Sequence, residues 1–409
     1  MQFRPYDPER DNEAIHRIWR EVGWIEAGKE EPLDHAILAA RTMVAELEGS
    51  AECAVLSARG DLQYLDERLS FAGLTGVATS RVARRQGLAR RLAALRVALD
   101  AADGVQVHGL GMFEQGFYNP LGYGTGPYER WVKFDPAHLL VSAHARVPRR
   151  LGPDDWEAIH AARLRRLRVH GSVNLYHPGA TRGELIETDN GFGLGYGDGP
   201  GGALSHYLWC GAKDLGHGPY TVYWLAYETR EQFLELMSLL KGLSDQVHLV
   251  QFEEPAGIQL QDLVAQPRKD ERVSRASRFE AGVSAHAYWQ MRICDLPACL
   301  AKTHLAGQPV RFHLRLEDPI AEQLGPEAPW RGIGGDYVVE LGPQSGAEPG
   351  CDPSLPTLEA TVNAFTRLWL GARPAWGLAF TDSLRGPTSL VDGLDRLVRV
   401  PVPHMDWDF

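Results

Sequence analysis

Apolar residues recur at two different periods along this 409-residue chain, and the switches between them lay out its elements. Ile15, Ile18, Trp19 and Val22 fall at i, i+3, i+4 and i+7 behind Asp11-Asn12-Glu13, the stripe of an amphipathic helix with a capped start. After the connector Lys29-Glu30-Glu31-Pro32 a second helix is predicted over 33–47. The period then drops to that of strands over 52–57, 62–69 and 73–79, with breaks expected at Arg59-Gly60-Asp61 and near Ser70. Leu88, Leu92, Leu95 and Leu99 mark a helix over 87–99, and 105–110 reads as one more strand. The order α-α-β-β-β-α-β implies a mixed sheet with a helix crossing back over it.

Past Pro136 the pattern restarts. Asp154-Asp155-Trp156 opens a helix, a glycine-rich hairpin follows, and then comes a β-α-β unit over 220–227, 229–243 and 247–253. Thr229-Arg230-Glu231-Gln232 fits a capping box for its helix. The charged connector Pro267-Arg268-Lys269-Asp270-Glu271-Arg272 leads to a helix over 296–302, strands over 310–316 and 337–341 with one wet face, and helices over 361–370 and 387–397. The expected organisation is three units of α/β (α+β) class, over residues 1–136, 137–288 and 289–409. Termini are usually loose, yet Pro403-His404-Met405-Asp406-Trp407-Asp408-Phe409 carries a proline, a tryptophan and a phenylalanine in seven residues. This is the composition of an end that docks.

Composition changes that outline little. An apolar content of 44% and a charged content of 23% are those of a globular protein, so disorder is not expected. With no run of eighteen apolar residues and no leader-like start, a soluble, cytoplasmic protein without a membrane partner is expected. The five cysteines, Cys53, Cys210, Cys294, Cys299 and Cys351, are scattered without CxxC spacing, which points to reduced thiols rather than a disulfide framework or a zinc site. A net charge of -11 disfavours nucleic acid as a partner and favours a cationic one. The fifteen histidines show no ligand spacing, so no metal is expected. Gly197-Asp198-Gly199-Pro200-Gly201-Gly202 fits G-x-G-x-x-G, but a strand is predicted after it where a dinucleotide site needs a helix; it reads as a hairpin.

One run stands out. Arg84-Arg85-Gln86-Gly87-Leu88-Ala89 lies between a predicted strand and a predicted helix, where orphan N–H groups and the helix dipole attract phosphate. Gly87 lets a ligand approach the backbone, and Arg84, Arg85, Arg90 and Arg91 add charge for a pyrophosphate or ribose phosphate. Arginines at a helix start oppose its dipole, so a purely structural role explains them poorly.

This R-x-x-G-x-A pattern resembles the acetyl-coenzyme A loop of the GCN5-related N-acetyltransferases. The resemblance implies that acetyl-CoA is the acyl donor, that Val77, Ala78 and Thr79 offer main-chain groups to its pantetheine arm, and that Arg84, Arg85, Gln86, Gly87, Leu88, Ala89 and Arg90 bind it, with Tyr118 and Asn119 in the same set. A second run, Phe113-Glu114-Gln115-Gly116-Phe117-Tyr118-Asn119-Pro120-Leu121-Gly122-Tyr123-Gly124, is similar to the E-x-G-x-Y-x-x-(F/L)-G-Y-G run of the enhanced intracellular survival (Eis) acetyltransferases. It implies that Tyr123 is the proton donor to the departing thiolate. Met291-Arg292-Ile293-Cys294-Asp295-Leu296-Pro297-Ala298 and Leu368-Trp369-Leu370-Gly371 resemble the sterol-carrier-like C-terminal domain of the same proteins, which end in an acidic residue and a phenylalanine, as Asp408-Phe409 does here. By that resemblance the α-carboxylate of Phe409 is the general base, with Glu114 its rival, and the fold is an N-terminal acetyltransferase domain, a second degenerate one and a sterol-carrier-like third.

Two departures bear on the mouth of such a site: Ser80-Arg81-Val82-Ala83 stands where A-P-x-(H/Y) is frequent, and Asn119-Pro120 where Gly-Arg is usual. The expected activity is transfer of acetyl to primary amines of a cationic small molecule, an aminoglycoside or polyamine, recognised by Asp408, Glu114 and Trp24; Glu26, Glu30 and Glu31 either add acids to that mouth or form a solvated loop. A hexamer is what the resemblance implies for assembly. The competing expectation is a non-catalytic protein that holds an apolar ligand in its third domain.

Overall fold

The computed structural model describes residues 1–114, 116–142, 145–265 and 275–408. In the first sheet, β1 (Gln2–Pro5), β2 (Arg41–Leu47), β3 (Ser50–Tyr64), β4 (Glu67–Thr79) and β5 (Val107–Gly111) lie side by side in chain order. Helices α1 (Pro8–Val22) and α2 (Glu31–Ala39) precede the long strands, and α3 (Leu88–Ala102) crosses from β4 back to β5. That crossover makes β4 and β5 parallel, with Phe71 to Leu74 facing Val107 to Leu110. The start of α1 is fixed locally: Pro8 sits at its first turn, and the Asp7 carboxylate accepts the Glu9 N–H at 3.1 Å.

Three local expectations are corrected. The helix predicted over 33–47 stops at Ala39, and Arg41–Leu47 is a strand, because Thr42, Met43 and Val44 pair with Leu56, Val55 and Ala54 across a buried face. Arg59-Gly60-Asp61 does not break the sheet. A Cβ at Gly60 would stand 1.8 Å from the Asn174 carbonyl oxygen, so glycine here admits a further strand, Val173–Leu175, against β3. The turn expected near Ser70 comes earlier, between Tyr64 and Glu67.

The second sheet has the order Gly282–His286, Glu129–Phe134, Val250–Glu253, Tyr220–Ala226, His206–Gly211, Phe192–Tyr196 and Arg149–Leu151. Here too a helix, Arg230–Gly242, joins two parallel strands, and the Thr229 hydroxyl accepts the Gln232 N–H at 3.3 Å. The glycine-rich run at 197–202 is the hairpin link between antiparallel strands. The two sheets exchange strands across the limits expected at 136 and 289. Glu129–Phe134 enters the second sheet between Val250–Glu253 and Gly282–His286, while Trp289–Ile293 returns to lie antiparallel against β5 in the first.

The C-terminal unit is a five-stranded sheet in the order Gly346–Pro349, Gly335–Leu341, Val310–Glu317, Thr357–Thr361, Leu384–Arg385, packed by helices. Phe312, Leu314 and Leu316 face inward while Arg311, Arg315 and Glu317 face water, the alternation the sequence shows. Its core is continuous with the underside of the first sheet, joining Phe365 and Leu314 to Phe71, Met291 and Trp407. All five cysteines are free thiols, four of them buried. Among the described residues no helix is long and apolar enough to cross a membrane.

Candidate active site

The first part of the site is a gap between two strands. Pairing of β4 with β5 ends at Leu74 and Leu110, but β4 runs on to Thr79, so its edge from Thr75 onward faces an open slot. A bulge re-aims that edge: Ala54 and Leu56 on β3 face Ala78 and Thr75, which leaves one extra residue on β4, and Gly76 takes the left-handed φ of 60° that the kink requires. Val77, Ala78 and Thr79 therefore present backbone groups to the slot that no strand satisfies.

At the end of the slot stands the N-terminus of α3. Gly87 caps it with φ 74°, no side chain caps its N–H groups, and a Cβ built on Gly87 would meet nothing within 4 Å. Arg84, Arg85 and Gln86 are exposed in front of it, and among the described residues Arg84, Arg85, Arg90 and Arg91 form no ion pair. Arg90 lies over the Phe117 ring at 5.6 Å, and its buried Nε has no partner. An open helix start, unpaired guanidinium groups and a bare strand edge fit an extended ligand with a phosphate-bearing end.

The run 113–124 brings two tyrosines to this face of the sheet, and they differ in what holds them. Tyr123 is fully buried, and its hydroxyl lies 2.9 Å from His108 Nδ1. His108 Nε2 is 3.2 Å from Asp100, whose carboxylate also takes bonds from Ser57 (2.6 Å) and Arg96 (3.0 and 3.2 Å). Burial depresses the His108 imidazolium, and despite its own burial Asp100 is held well below the usual carboxylate range by His108 and Arg96. A neutral imidazole facing an ionised carboxylate donates from Nε2, so Nδ1 accepts and Tyr123 donates. The Tyr123 hydroxyl is thus committed to a closed relay near the C-terminal end of α3.

Tyr118 neighbours Tyr123, the two ring centroids 6.1 Å apart. Its ring packs edge-on against Phe117 at 4.8 Å, the ring that carries Arg90. Burial raises its phenol, with a smaller push from Cys53, whose sulfur lies 3.3 Å from the Thr79 hydroxyl on the open edge of β4.

The turn carrying both tyrosines is fixed from afar. Asn363 donates to the carbonyls of Asn119 (3.0 Å) and Tyr123 (2.8 Å), Gln290 donates to the Asn119 side chain at 3.0 Å, and buried Arg292 binds the Leu121 carbonyl and Asp318. Glu114 lies exposed on the loop just beyond β5.

On the opposite face of the sheet a cavity of about 690 Å³ opens between α2 and a helix of the second unit, and reaches Thr75 on β4. Trp24, Glu26 and Glu31 line it together with Glu184, Glu187 and Asp189; Lys29 is the basic residue among them. Glu30 instead pairs with Arg20 at 3.3 Å. Burial raises the carboxyls of Glu184 and Glu187.

The tail closes the same face. Met405 and Trp407 are buried, and Asp406 is bound by Arg166 at 2.6 and 2.7 Å. Asp408 is open to solvent but crowded, and that crowding raises its carboxyl, with Asp406 adding to the rise and Arg163 opposing it. Phe409 lies outside the described residues. Around Asp408 gather acids that no motif announced. Desolvation and the neighbouring Asp408 push Glu129 up to about 8, and desolvation with the Glu129, Asp408 and Asp406 charges raises Glu253 well above the ordinary range. Tyr288, raised to about 12 by burial and by Asp408 and Glu129, sits against the end of β5, where a Cβ on Gly111 would meet its hydroxyl at 2.9 Å. Elsewhere Asp198, His206 and Glu235 converge as metal ligands can, but Arg146 already binds both carboxylates at 2.7 Å.

No family model matches this sequence, and no curated protein does. Solved structures do match in shape over the whole chain. A probable N-acyltransferase of unknown function from Enterococcus faecalis superposes with a TM-score of 0.79 at 18% identity, over 100% of this chain and 99% of that one. Eis1 from Mycobacterium abscessus gives 0.77 at 16% identity with 100% of both chains covered, and a GCN5-related N-acetyltransferase from Kribbella flavida 0.74 at 18%, over 100% and 98%. The fold is that of the GCN5-related N-acetyltransferases. The full-length match extends the likeness through the second and third units.

Proposed function

We propose that this protein is an acetyl-CoA-dependent N-acetyltransferase whose acceptor is a primary amine of a cationic small molecule, of the aminoglycoside or polyamine class. The observation that carries this reading is the open β4 edge leading to an uncapped helix start ringed by unpaired arginines. Acetyl-CoA supplies the acyl group as a thioester. Val77, Ala78 and Thr79 hold its arm by their backbone, and Arg84, Arg85, Gln86, Gly87 and Arg90 with the first turn of α3 hold its phosphates. The acidic cavity on the far face receives the amine: Trp24, Glu26, Glu31 and Asp189 favour an ammonium ion, and a lower local concentration of competing anions results from the same charges.

Attack requires the neutral amine, so a base must take one proton as the C–N bond forms and the C–S bond breaks. We assign the base to the tail, as the α-carboxylate of Phe409, and the substrate's remaining charge to Asp408, its neighbour in sequence. We place the donor to the thiolate at Tyr118 rather than at Tyr123. Supporting this choice, Tyr118 packs against the Phe117 ring that carries Arg90, whereas the Tyr123 proton is engaged by His108. A phenol raised by burial keeps its proton until thiolate charge develops beside it.

Purified protein, acetyl-CoA and a panel of aminoglycosides and polyamines, monitored for release of free thiol, tests the proposal. Turnover with at least one polyamine or aminoglycoside is the expected result; no thiol release across the panel, with no acetyl-CoA binding by calorimetry, would overturn it. Residues appended after Phe409 should stop turnover and leave acetyl-CoA binding intact.

A further inference from the structure

The second sheet contains the same device as the first, and it is filled by the chain itself. Tyr220 to Val222 pair in parallel with Val250 to Phe252, and beyond that point Tyr220–Ala226 runs on unpaired along this edge while its other edge stays paired with His206–Gly211. A bulge again falls at the opening, where Trp209 and Cys210 face Trp224 and Val222. Yet the next helix starts closed: Thr229 caps it, Glu228 and Glu231 flank it, and no arginine cluster stands before it.

The opening is occupied by the segment 403–408, together with two arginines of the helix Trp156–Arg165 and its end. A small cavity of about 100 Å³ remains between Val222 to Tyr227, Phe252, Glu253, Arg163, Arg166, His404 and Asp406. Arg163 is sandwiched, with its guanidinium 4.2 Å from the Trp224 ring and 3.7 Å from the Trp407 ring. Buried Arg166 grips Asp406 through Nε (2.7 Å) and Nη2 (2.6 Å), and its other bonds go to the Arg163 carbonyl, Asn174 and the Val173 carbonyl. The His404 N–H donates to the His170 carbonyl at 2.9 Å, and its ring lies 3.3 Å from Glu253. Glu184 ties the tail to the amine cavity it lines: one oxygen accepts the Trp407 indole N–H at 3.1 Å and the other pairs with Arg163 at 2.5 Å.

We infer that the second unit is a receptor for the chain's own final segment, its open strand pair having exchanged a nucleotide ligand for an acidic aromatic peptide, and that Arg166 and Arg163 are positioning residues. They act through Asp406 and Trp407 to set where Asp408 and the terminal residue stand. A bidentate, buried guanidinium–carboxylate pair fixes orientation as well as distance, which a flexible tail otherwise lacks. The catalytic half of this inference rests on the acyl-transfer reading above; the docking half does not.

Two variants of the full chain test it, Asp406→Asn and Arg166→Gln, with Arg166→Lys as the conservative control. Hydrogen exchange of the peptide spanning 400–408 is expected to accelerate at least tenfold in the first two and less in the third. In the thiol-release assay kcat is expected to fall at least tenfold in the first two, with KM for acetyl-CoA unchanged, and to recover partly in Arg166→Lys. Asp406→Asn alters only the tail, so a folding failure of Arg166→Gln leaves the test standing. Unchanged exchange in Asp406→Asn overturns the docking inference. Faster exchange with unchanged kcat overturns the positioning role. Absence of turnover in the unaltered protein refutes the acyl-transfer reading instead, and the exchange measurement still decides whether the segment is held.

Discussion

The two strand–helix–strand units of this protein share a plan and differ in three respects: the cap at the helix start, the charges beside it and what fills the opening. In the first, the helix after the open strand starts at Gly87 with bare N–H groups and unpaired arginines before it. In the second, the corresponding helix starts at Thr229, whose hydroxyl occupies the Gln232 N–H, with acids beside it. At the first opening β4 runs past Leu74 without a partner on the β5 side. The second holds Arg163, Arg166 and residues 403–408. A fold unit thus keeps its backbone while the chemistry at one helix terminus decides whether phosphate can settle there.

The largest expected effect breaks that contrast directly. Arg85→Glu combined with Arg90→Glu should weaken acetyl-CoA binding by roughly 100-fold or more, since each lost charge-assisted bond removes about 1.5–3 kcal/mol and the reversed charges repel. Arg230→Glu at the second helix start should leave the same calorimetric affinity unchanged. Equal losses from both substitutions would mean that net charge, rather than the open terminus, governs binding.

Next in size is the separation of the two tyrosines. Tyr118→Phe should lower kcat by about 10²-fold, the scale of a positioned proton donor, without changing acetyl-CoA affinity. Tyr123→Phe should lower kcat by less than about tenfold and instead cost about 1–3 kcal/mol of stability, because the buried His108 Nδ1 loses its donor. The reverse ranking in steady-state rates would return the donor to Tyr123.

How much of this was legible in the sequence depends on how local each feature is. The loop proposed to hold phosphate is six consecutive residues, so Arg84 to Ala89 stand out in place, and the helix at 229–243 announced itself by its cap. The tail's aromatic content pointed to docking, and Met405 and Trp407 are indeed buried. Its socket was not legible: Arg163, Arg166 and Glu184 meet Trp407 from more than 220 positions away and form no motif. The same holds for Glu129, which looks like any strand glutamate until Trp289 and Asp408 are folded against it. Strand exchange between the sheets was hidden for the same reason, since pairing partners so far apart leave no periodic trace. The helix expected over 33–47 failed differently, because tertiary pairing overrode a helical apolar spacing in Arg41–Leu47.

The acids around the tail give a pH-dependent way to sharpen the comparison. The Glu129 carboxyl is raised from its ordinary value to about 8. Between roughly pH 4.5 and 8 the folded protein therefore holds a proton that the unfolded chain releases, so stability falls as pH rises through this window and levels off above it. Glu129→Gln, neutral at every pH, should flatten that fall in thermal melts between pH 5 and 8.5. A second substitution, at Glu253, should flatten it further if the pair titrates as one unit. The arginine loop of the first unit has no part in this, so Arg85→Glu should leave the slope as it is.

The smallest effect concerns the closed helix start. Thr229→Ala removes one N-cap bond and should cost about 1 kcal/mol, the usual scale for such a cap. It also bares the Gln232 N–H and brings the second helix start closer to the first. Without arginines in front and with the opening filled by residues 403–408, that bared terminus should still bind no nucleotide. Calorimetry on the variant should therefore report one acetyl-CoA site per chain, while chemical denaturation reports the lost stability. A second site would show that the cap alone keeps phosphate out of this unit, and that its tail and its acids are secondary.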